Sequence, residues 1–154
     1  MDEDKLNRLP PDVKKQFIKL ASKLSEKKQK SKVHDDFLSF VKHVWPEFIE
    51  GAHHKKIAEK FNDIANKKIK RLIINMPPRH TKSEFASFLL PAWMVGRRPN
   101  LKIIQSTHTT ELAIRFGRKA KTLMDSPEYK QVFDTRLRED SQAAGKWETQ
   151  QGGE

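Results

Sequence analysis

A lysine followed by a serine, Lys82-Ser83, is the residue pair in this sequence best suited to phosphate chemistry. It ends a polar turn, residues 76–83, that follows a short apolar run. In the phosphate-binding pattern G-x-x-x-x-G-K-[ST], backbone N–H groups surround the phosphates, the lysine reaches the β- and γ-phosphates and the hydroxyl binds Mg²⁺. Met76 and Thr81 stand where that pattern has glycines. The spacing predicts a phosphate loop; the alternative is a strand–turn–helix whose lysine and serine face solvent.

The segments around this turn are those that would position it in an α/β domain. Residues 72–74 are apolar and rich in β-branched side chains, as in a strand buried on both faces of a parallel sheet. Residues 83–95 predict a buried helix whose N-terminal N–H groups and dipole point at an anion. Pro91 predicts a kink or a restart in that helix. Residues 101–107 predict a second strand, whose C-terminal end is where open α/β sheets bind ligands.

The remaining sequence predicts further helices and one edge strand. An apolar face indicates a helix from about residue 11 to Ser25, followed by a basic linker at 26–32 that is solvated or contacts a partner. Asp35 or Asp36 is expected to cap the next helix, whose aromatic residues should pack against the core. Further helices are expected at 51–65, after Thr109 or Thr110, and at 128–133. Residues 96–100 predict a helix stop and turn, residues 134–147 a polar stretch and residues 146–150 an edge strand.

A series of short motifs follows the same chain direction at characteristic spacing. They are Ile73-Ile-Asn-Met-Pro-Pro-Arg-His-Thr-Lys-Ser-Glu-Phe-Ala-Ser, Pro91-Ala-Trp, Phe116-Gly-Arg-Lys, Ser126-Pro-Glu-Tyr, Arg136-Leu-Arg and Asp140-Ser-x-Ala-Ala-Gly-Lys-Trp147. In order and spacing this series resembles the N-terminal ATPase region of the large terminase subunits of tailed bacteriophages. Those proteins are the motors that pump DNA into procapsids. The resemblance covers about residues 33–154.

The resemblance implies an α/β fold, namely part of a P-loop NTPase domain of the RecA-like or ASCE type with a helical N-terminal extension. Residues 1–32 would be an N-terminal helix and basic linker, and residues 33–154 the N-terminal part of the ATPase domain. We expect this stretch to stop before the Walker B strand and to lack the family's nuclease domain. The full-length terminase would be an ATPase, whereas this stretch alone should be inactive, because it offers no strand-borne carboxylate pair. Asp134, Glu139 and Asp140 follow no apolar strand and are not assigned to Mg²⁺.

The same resemblance assigns roles around the loop, with ATP and Mg²⁺ as cofactors. Lys82 and Arg79 are the expected catalytic residues, Arg79 on the γ-phosphate unless it faces solvent or pairs with Glu84. Ser83 is the expected magnesium ligand. Backbone N–H groups of about residues 79–83 would surround the phosphates. The full set of expected nucleotide-binding residues is Met76, Pro77, Pro78, Arg79, His80, Thr81, Lys82, Ser83, His53 and His54.

Two of these positions carry separate expectations. In the family, the segment before the phosphate loop helps to form the adenine pocket, so His53-His54 or Phe48 would contact the base; the alternative for the histidines is a polar helix cap. Many family members have glycine where this chain has Thr81. Because threonine adopts a positive φ less readily than glycine, the sequence predicts that Thr81→Gly keeps or improves ATP affinity.

The charge of the chain favours a polyanionic partner. Lysine and arginine number 31 against 20 acidic residues, which gives a net charge of +11. Arg115, Arg118 and Lys119 lie on one polar helix face and are candidates for double-stranded DNA contact, the alternative being a solvated face. The resemblance adds the portal protein, the small terminase subunit and a homo-oligomeric ring. Absence of cysteine and of a long apolar segment predicts a soluble, cytoplasmic protein outside any membrane, and the resemblance implies that the cytoplasm is that of an infected host. A helicase-like DNA-dependent ATPase and a non-catalytic nucleotide-binding remnant remain alternatives.

Overall fold

The computed structural model describes residues 10–143 and 146–153. Within them no helix combines the length and apolar character needed to cross a membrane. The chain divides into two compact units between Ser31 and Lys32. The elements in order are α1 (Pro11–Asp35), α2 (Phe37–Val44), α3 (Ala52–Ala65), α4 (Lys82–Glu84), a π-helical turn (Phe85–Leu89), α5 (Leu90–Arg97), α6 (Thr110–Asp125), α7 (Pro127–Val132), β1 (Leu137–Ala143) and β2 (Lys146–Thr149).

Helix α1 is longer than the sequence predicts. It continues to Asp35, so the interpretation of residues 26–32 as a linker is wrong. Lysine, glutamate and glutamine are good helix formers, and the charge run contains no glycine or proline that would end the helix. In the first unit the apolar stripe of this helix is exposed, at Val13, Phe17, Leu20 and Leu24.

The core of the second unit is built on an aromatic cluster centred on Phe37. The Phe37 ring lies 5.1 Å from the ring of Phe61 and 5.4 Å from that of Phe85, both in edge-to-face geometry. It lies 5.5 Å from the ring of Trp93. Edge-to-face pairs of this kind add to the stabilisation from burial. Helices α2, α3 and α5 and the π-helical turn therefore meet at Phe37, which confirms that the aromatic residues of α2 pack against the core.

Asp36 joins α2 to α3 through a closed hydrogen-bond network. Its carboxylate accepts from the Ser39 N–H at 2.8 Å and from the Asn62 side-chain amide at 2.8 Å. The Asn62 carbonyl in turn accepts from the Phe37 N–H at 2.9 Å. Burial raises the pKa of Asp36, but the hydrogen bonds from Ser39 and Asn62 outweigh burial and hold the pKa below its ordinary value. The predicted helix cap is confirmed.

The two predicted central strands, residues 72–74 and 101–107, carry no assigned strand in the described part of the chain. Their side chains alternate between partly buried and exposed, and Ile73 and Ile104 are 94% and 97% exposed. The prediction that residues 72–74 are buried on both faces is therefore wrong. The α/β fold class stays a prediction.

The strands that are assigned form an antiparallel hairpin. Strand β1 pairs with β2, with Leu137 opposite Thr149 and Ala143 opposite Lys146. The sequence predicts β2, whereas β1 lies in the stretch interpreted only as polar. Charged residues such as Arg138 and Asp140 hide this strand, because they pair with each other on its exposed side instead of alternating with apolar residues.

The helix after the loop contains the restart that Pro91 predicts. The Leu90 N–H donates to the Phe85 carbonyl across a π-helical turn, and Pro91 lies in the first turn of α5. The π-helical turn shifts the helical hydrogen-bond pattern by one residue immediately before Pro91, which has no N–H to donate. The predicted helix stop and turn at residues 96–100 are confirmed, because α5 ends at Arg97 and residues 99 and 100 form a turn.

Candidate functional site

The turn at residues 76–83 has the backbone geometry of an anion-binding loop. Thr81 is left-handed, with φ 56° and ψ 8°, and Lys82 directly after it is helical. Arg79 is also left-handed, with φ 65°. A left-handed residue beside a right-handed one directs successive N–H groups to a common concave point. Thr81 gives no side-chain hydrogen bond to the first turn of α4, so the N–H groups of that turn keep their free capacity for an anion.

Lys82 crosses this turn. Its ammonium group donates a 3.1 Å hydrogen bond to the carbonyl of Met76, the residue that opens the loop. Lys82 itself is partly buried. A flexible lysine held by one carbonyl can exchange that contact for a phosphate oxygen, which would be a stronger, charge-assisted acceptor. The structure therefore brings together Met76 and Lys82, the two ends of the predicted loop.

The hydroxyl of Thr81 is held from two sides. It donates to the His80 carbonyl at 2.7 Å, and it lies 2.6 Å from Nε2 of His54. On its other side the His54 ring accepts the Gly51 N–H at Nδ1, 2.9 Å away, so that its side chain caps the backbone at the start of α3. Of the two alternatives for His54, contact with the base or a polar cap, the structure contains the cap. Its contact with Thr81 has no signal in the sequence, because 27 residues separate the two positions.

His54 is enclosed by aromatic rings. It is 6% exposed, and its ring centroid lies 4.8 Å from that of Phe48 and 5.1 Å from that of Phe85. Burial lowers the pKa of His54, and the neighbouring His53 lowers it further. Phe48 therefore packs on the histidine and on the helix behind the loop.

Two more histidines border His54. The His53 ring centroid is 3.8 Å from that of His54 and 5.7 Å from that of His80. His80 donates from Nδ1 to the Pro78 carbonyl at 2.8 Å, a contact inside the loop. Nε2 of His53 is buried without a hydrogen-bond partner. Among the residues that the structure describes, no three His, Cys, Asp or Glu side chains are placed to hold a metal ion.

Arg79 and Ser83 both face solvent, as do Pro77 and Pro78. The alternative that Arg79 pairs with Glu84 is not observed, because Glu84 forms an ion pair with Lys119 instead, at 2.7 and 2.9 Å. Of the alternatives for Arg79, the structure therefore contains the one in which its side chain faces solvent on the surface of the loop.

The three basic residues proposed for DNA contact do not share one environment. Arg115 and Arg118 are exposed on α6, whereas Lys119 bridges to Glu84 and lies 5.6 Å from the ring of Phe88. An open groove of about 1060 Å³ runs beside them. Its lining includes Val44, Phe88, Glu111, Ile114, Arg115, Arg118, Lys119, Thr122, Leu123, Ser126 and Glu128. Lys119 thus connects α6 to the helix that follows the loop.

The acidic residues left unassigned by the sequence lie around the hairpin. Asp140 accepts from Arg138 at 2.6 and 2.9 Å, and Arg138 also contacts Glu148 at 3.0 Å. The hydrogen bond from Arg138 lowers the pKa of Asp140. Asp134 and Glu139 are exposed.

Comparison with protein-family models, with curated proteins and with solved structures gives no match to this chain. The likeness to terminases therefore stands on the sequence motifs, and the function has to be inferred from the loop.

Proposed function

We propose that this protein is the ATP-binding part of a viral DNA-packaging motor, the large terminase subunit, in which ATP hydrolysis drives double-stranded DNA into the procapsid. One observation carries the proposal: left-handed Thr81 directly precedes helical Lys82, whose ammonium lies at the Met76 carbonyl. This arrangement supports phosphate binding, because a left-handed residue followed by a helical one can direct successive N–H groups at an anion, and Lys82 adds a cation beside them in the chain. The sequence motifs supply the motor and its DNA substrate.

Within this proposal the loop residues have distinct roles. Lys82 exchanges its carbonyl contact for the β- and γ-phosphates, and Arg79, exposed on the loop, approaches the γ-phosphate. Ser83 fits a magnesium ligand, since it is exposed beside Lys82 in the first turn of the helix and its hydroxyl has no hydrogen bond in the described chain. Mg²⁺, when bound, would neutralise phosphate charge. His53, with its unpaired Nε2, remains the candidate for the base.

The basic face is the proposed contact with DNA. Arg115 and Arg118 are exposed and available to backbone phosphates, and the chain carries a net charge of +11. Contacts of this kind are independent of sequence and weaken with salt. By the resemblance, the portal protein, the small terminase subunit and further copies in a ring are the other partners, in the cytoplasm of the infected host.

A nucleotide-binding module without turnover is the second candidate. It is favoured by the ion pairs of Arg138 with Asp140 and Glu148, which occupy two of the carboxylates near the end of the chain. Catalysis would need a carboxylate that orients the attacking water. A helicase-like DNA-dependent ATPase would share the loop and the basic face.

The deciding experiment is calorimetric titration with Mg–ATP of the protein, Lys82→Ala and the control Lys56→Ala, whose lysine is exposed on α3. We expect Lys82→Ala to lose about 10- to 100-fold in affinity, the range for a charge-assisted hydrogen bond. The control should bind as the unaltered protein does. Equal affinity of all three proteins would overturn the proposal.

A phosphate-release assay on the same proteins separates the two candidates. We expect no turnover that depends on Lys82 from this chain alone, as the sequence predicts. Turnover that Lys82→Ala abolishes would place a catalytic carboxylate within these residues and would exclude the module without turnover.

A further inference from the structure

The hydrogen bonds around His54 fix where its ring proton lies. The Thr81 hydroxyl has one hydrogen, which the His80 carbonyl accepts at 2.7 Å. The 2.6 Å contact between Thr81 Oγ1 and His54 Nε2 therefore requires the histidine to donate. Nδ1 has to be bare, because it accepts the Gly51 N–H at 2.9 Å. The ring is thus neutral, with its hydrogen on Nε2, and each of its nitrogens has a partner.

This neutral ring acts on the strained residue of the loop. A left-handed conformation is unfavourable for a threonine, and surrounding structure must hold it in place. Here Thr81 is held by its hydrogen bond with His54, and the His54 ring is itself fixed between Phe48 and Phe85. Glycine would need no such hold, because it has no Cβ. The histidine therefore compensates for the side chain that stands at the glycine position.

We propose that His54 is a positioning residue of the phosphate loop, which keeps Thr81 left-handed only while its ring is neutral, so that phosphate affinity is lost when the ring is protonated. The inference rests on the proposed function, since it takes the phosphates of a nucleotide as the ligand of the loop. Protonation would place a hydrogen on Nδ1 against the Gly51 N–H. The ring would then have to turn, and its contact with Thr81 would break.

The charged and titratable groups around the ring favour the neutral state. Burial lowers the pKa of His54; His53 and His80 lower it as well, and Glu50 opposes them. Glu50 is itself paired with Lys42 and Lys55, which weakens its attraction for a charged imidazole. With its pKa below the ordinary value of 6.5, the ring is neutral near pH 7.5 and becomes charged as the pH falls through the lowered value.

Glutamine is the variant that separates positioning from charge. It is a usual residue at this capping-box position, where its carbonyl can accept the Gly51 N–H while its amide donates to Thr81. It does not titrate. His54→Gln should therefore bind Mg–ATP at pH 7.5 as the unaltered protein does, and at lower pH it should lose less affinity than the unaltered protein. His54→Leu removes both hydrogen bonds and should bind weakly at every pH at which circular dichroism shows it folded.

The test is Mg–ATP affinity from pH 7.5 to 5.0 for the unaltered protein, His54→Gln and Lys82→Ala. Below the folded pKa of His54, the affinity of the unaltered protein should fall relative to His54→Gln by up to about tenfold per pH unit. Protonation of ATP itself affects both proteins and cancels in the ratio. A constant ratio, or an affinity that rises relative to His54→Gln as the pH falls, would overturn the inference. Absence of Lys82-dependent binding at pH 7.5 would overturn the proposed function and this inference with it.

A second readout needs no nucleotide. A long-range ¹H–¹⁵N spectrum at pH 7.5 should show the His54 ring protonated at Nε2 and bare at Nδ1. The other tautomer, or a charged ring at this pH, would overturn the inference whatever the affinities are.

Discussion

Replacing Thr81 by glycine separates backbone strain from side-chain bonding in the loop. From the sequence alone the substitution should be neutral or favourable, because glycine accepts a left-handed conformation. The structure adds two effects, both of which oppose this relief of strain. The hydroxyl bond to the His80 carbonyl is lost, and the Nε2–H of His54, a residue only 6% exposed, is left without an acceptor.

The size of each effect decides the sign. Relief of a left-handed threonine stabilises by about 1–2 kcal/mol. An unpaired buried N–H costs about 1–3 kcal/mol, and the lost hydroxyl bond costs about 0.5–1.5 kcal/mol. The greater freedom of glycine in the unfolded chain costs about 0.4–1 kcal/mol. The unfavourable effects outweigh the relief, and we expect Thr81→Gly to lower the free energy of unfolding by about 1–2 kcal/mol.

Urea unfolding at pH 7.5, with two matched variants, checks this expectation. Thr81→Ser keeps the hydroxyl and should stay within about 0.5 kcal/mol of the unaltered protein. Thr81→Ala loses the hydroxyl but keeps a Cβ, and with it the cost of a left-handed conformation, so it should be the least stable of the three variants. If the glycine variant is as stable as the unaltered protein or more so, the hydrogen bonds to His54 and His80 do not outweigh the strain of the left-handed threonine, and this reasoning is refuted.

Three other predictions follow from separate parts of the structure. A Cβ on Gly96 would lie 2.6 Å from the buried Tyr129 hydroxyl, so Gly96→Ala should lower the free energy of unfolding by about 1–3 kcal/mol, with a lower Tm in thermal unfolding. Asp36→Ala removes a helix cap and should cost about 1–2 kcal/mol. Because the Asp36 pKa lies below 3.8, this difference should be complete above pH 3.8 and shrink as the pH falls through the folded pKa. Arg115→Ala combined with Arg118→Ala should weaken DNA binding and flatten the slope of log affinity against log salt by about 0.9 per lost contact; an unchanged slope would show that neither residue touches DNA.

The sequence determined the elements whose causes are local. Caps at Asp36 and Thr109 and the restart at Pro91 follow from side chains or rings that act on the backbone within a few residues. The turn at residues 76–83 likewise follows the apolar segment that the sequence places before it, and its role as a phosphate loop is a prediction from Lys82 and its neighbours. A local cause can be read from neighbouring letters, and these predictions needed no tertiary contact.

Tertiary structure decided the features that join distant segments. His54 reaches Thr81 across 27 residues, and Lys119 reaches Glu84 across 35, so neither pairing leaves a pattern in either local stretch. The left-handed conformation of Thr81 likewise depends on a contact from a distant segment. Sequence shows only a residue poorly suited to that conformation, whereas the packing of His54 against Phe48 and Phe85 supplies the contact that holds it.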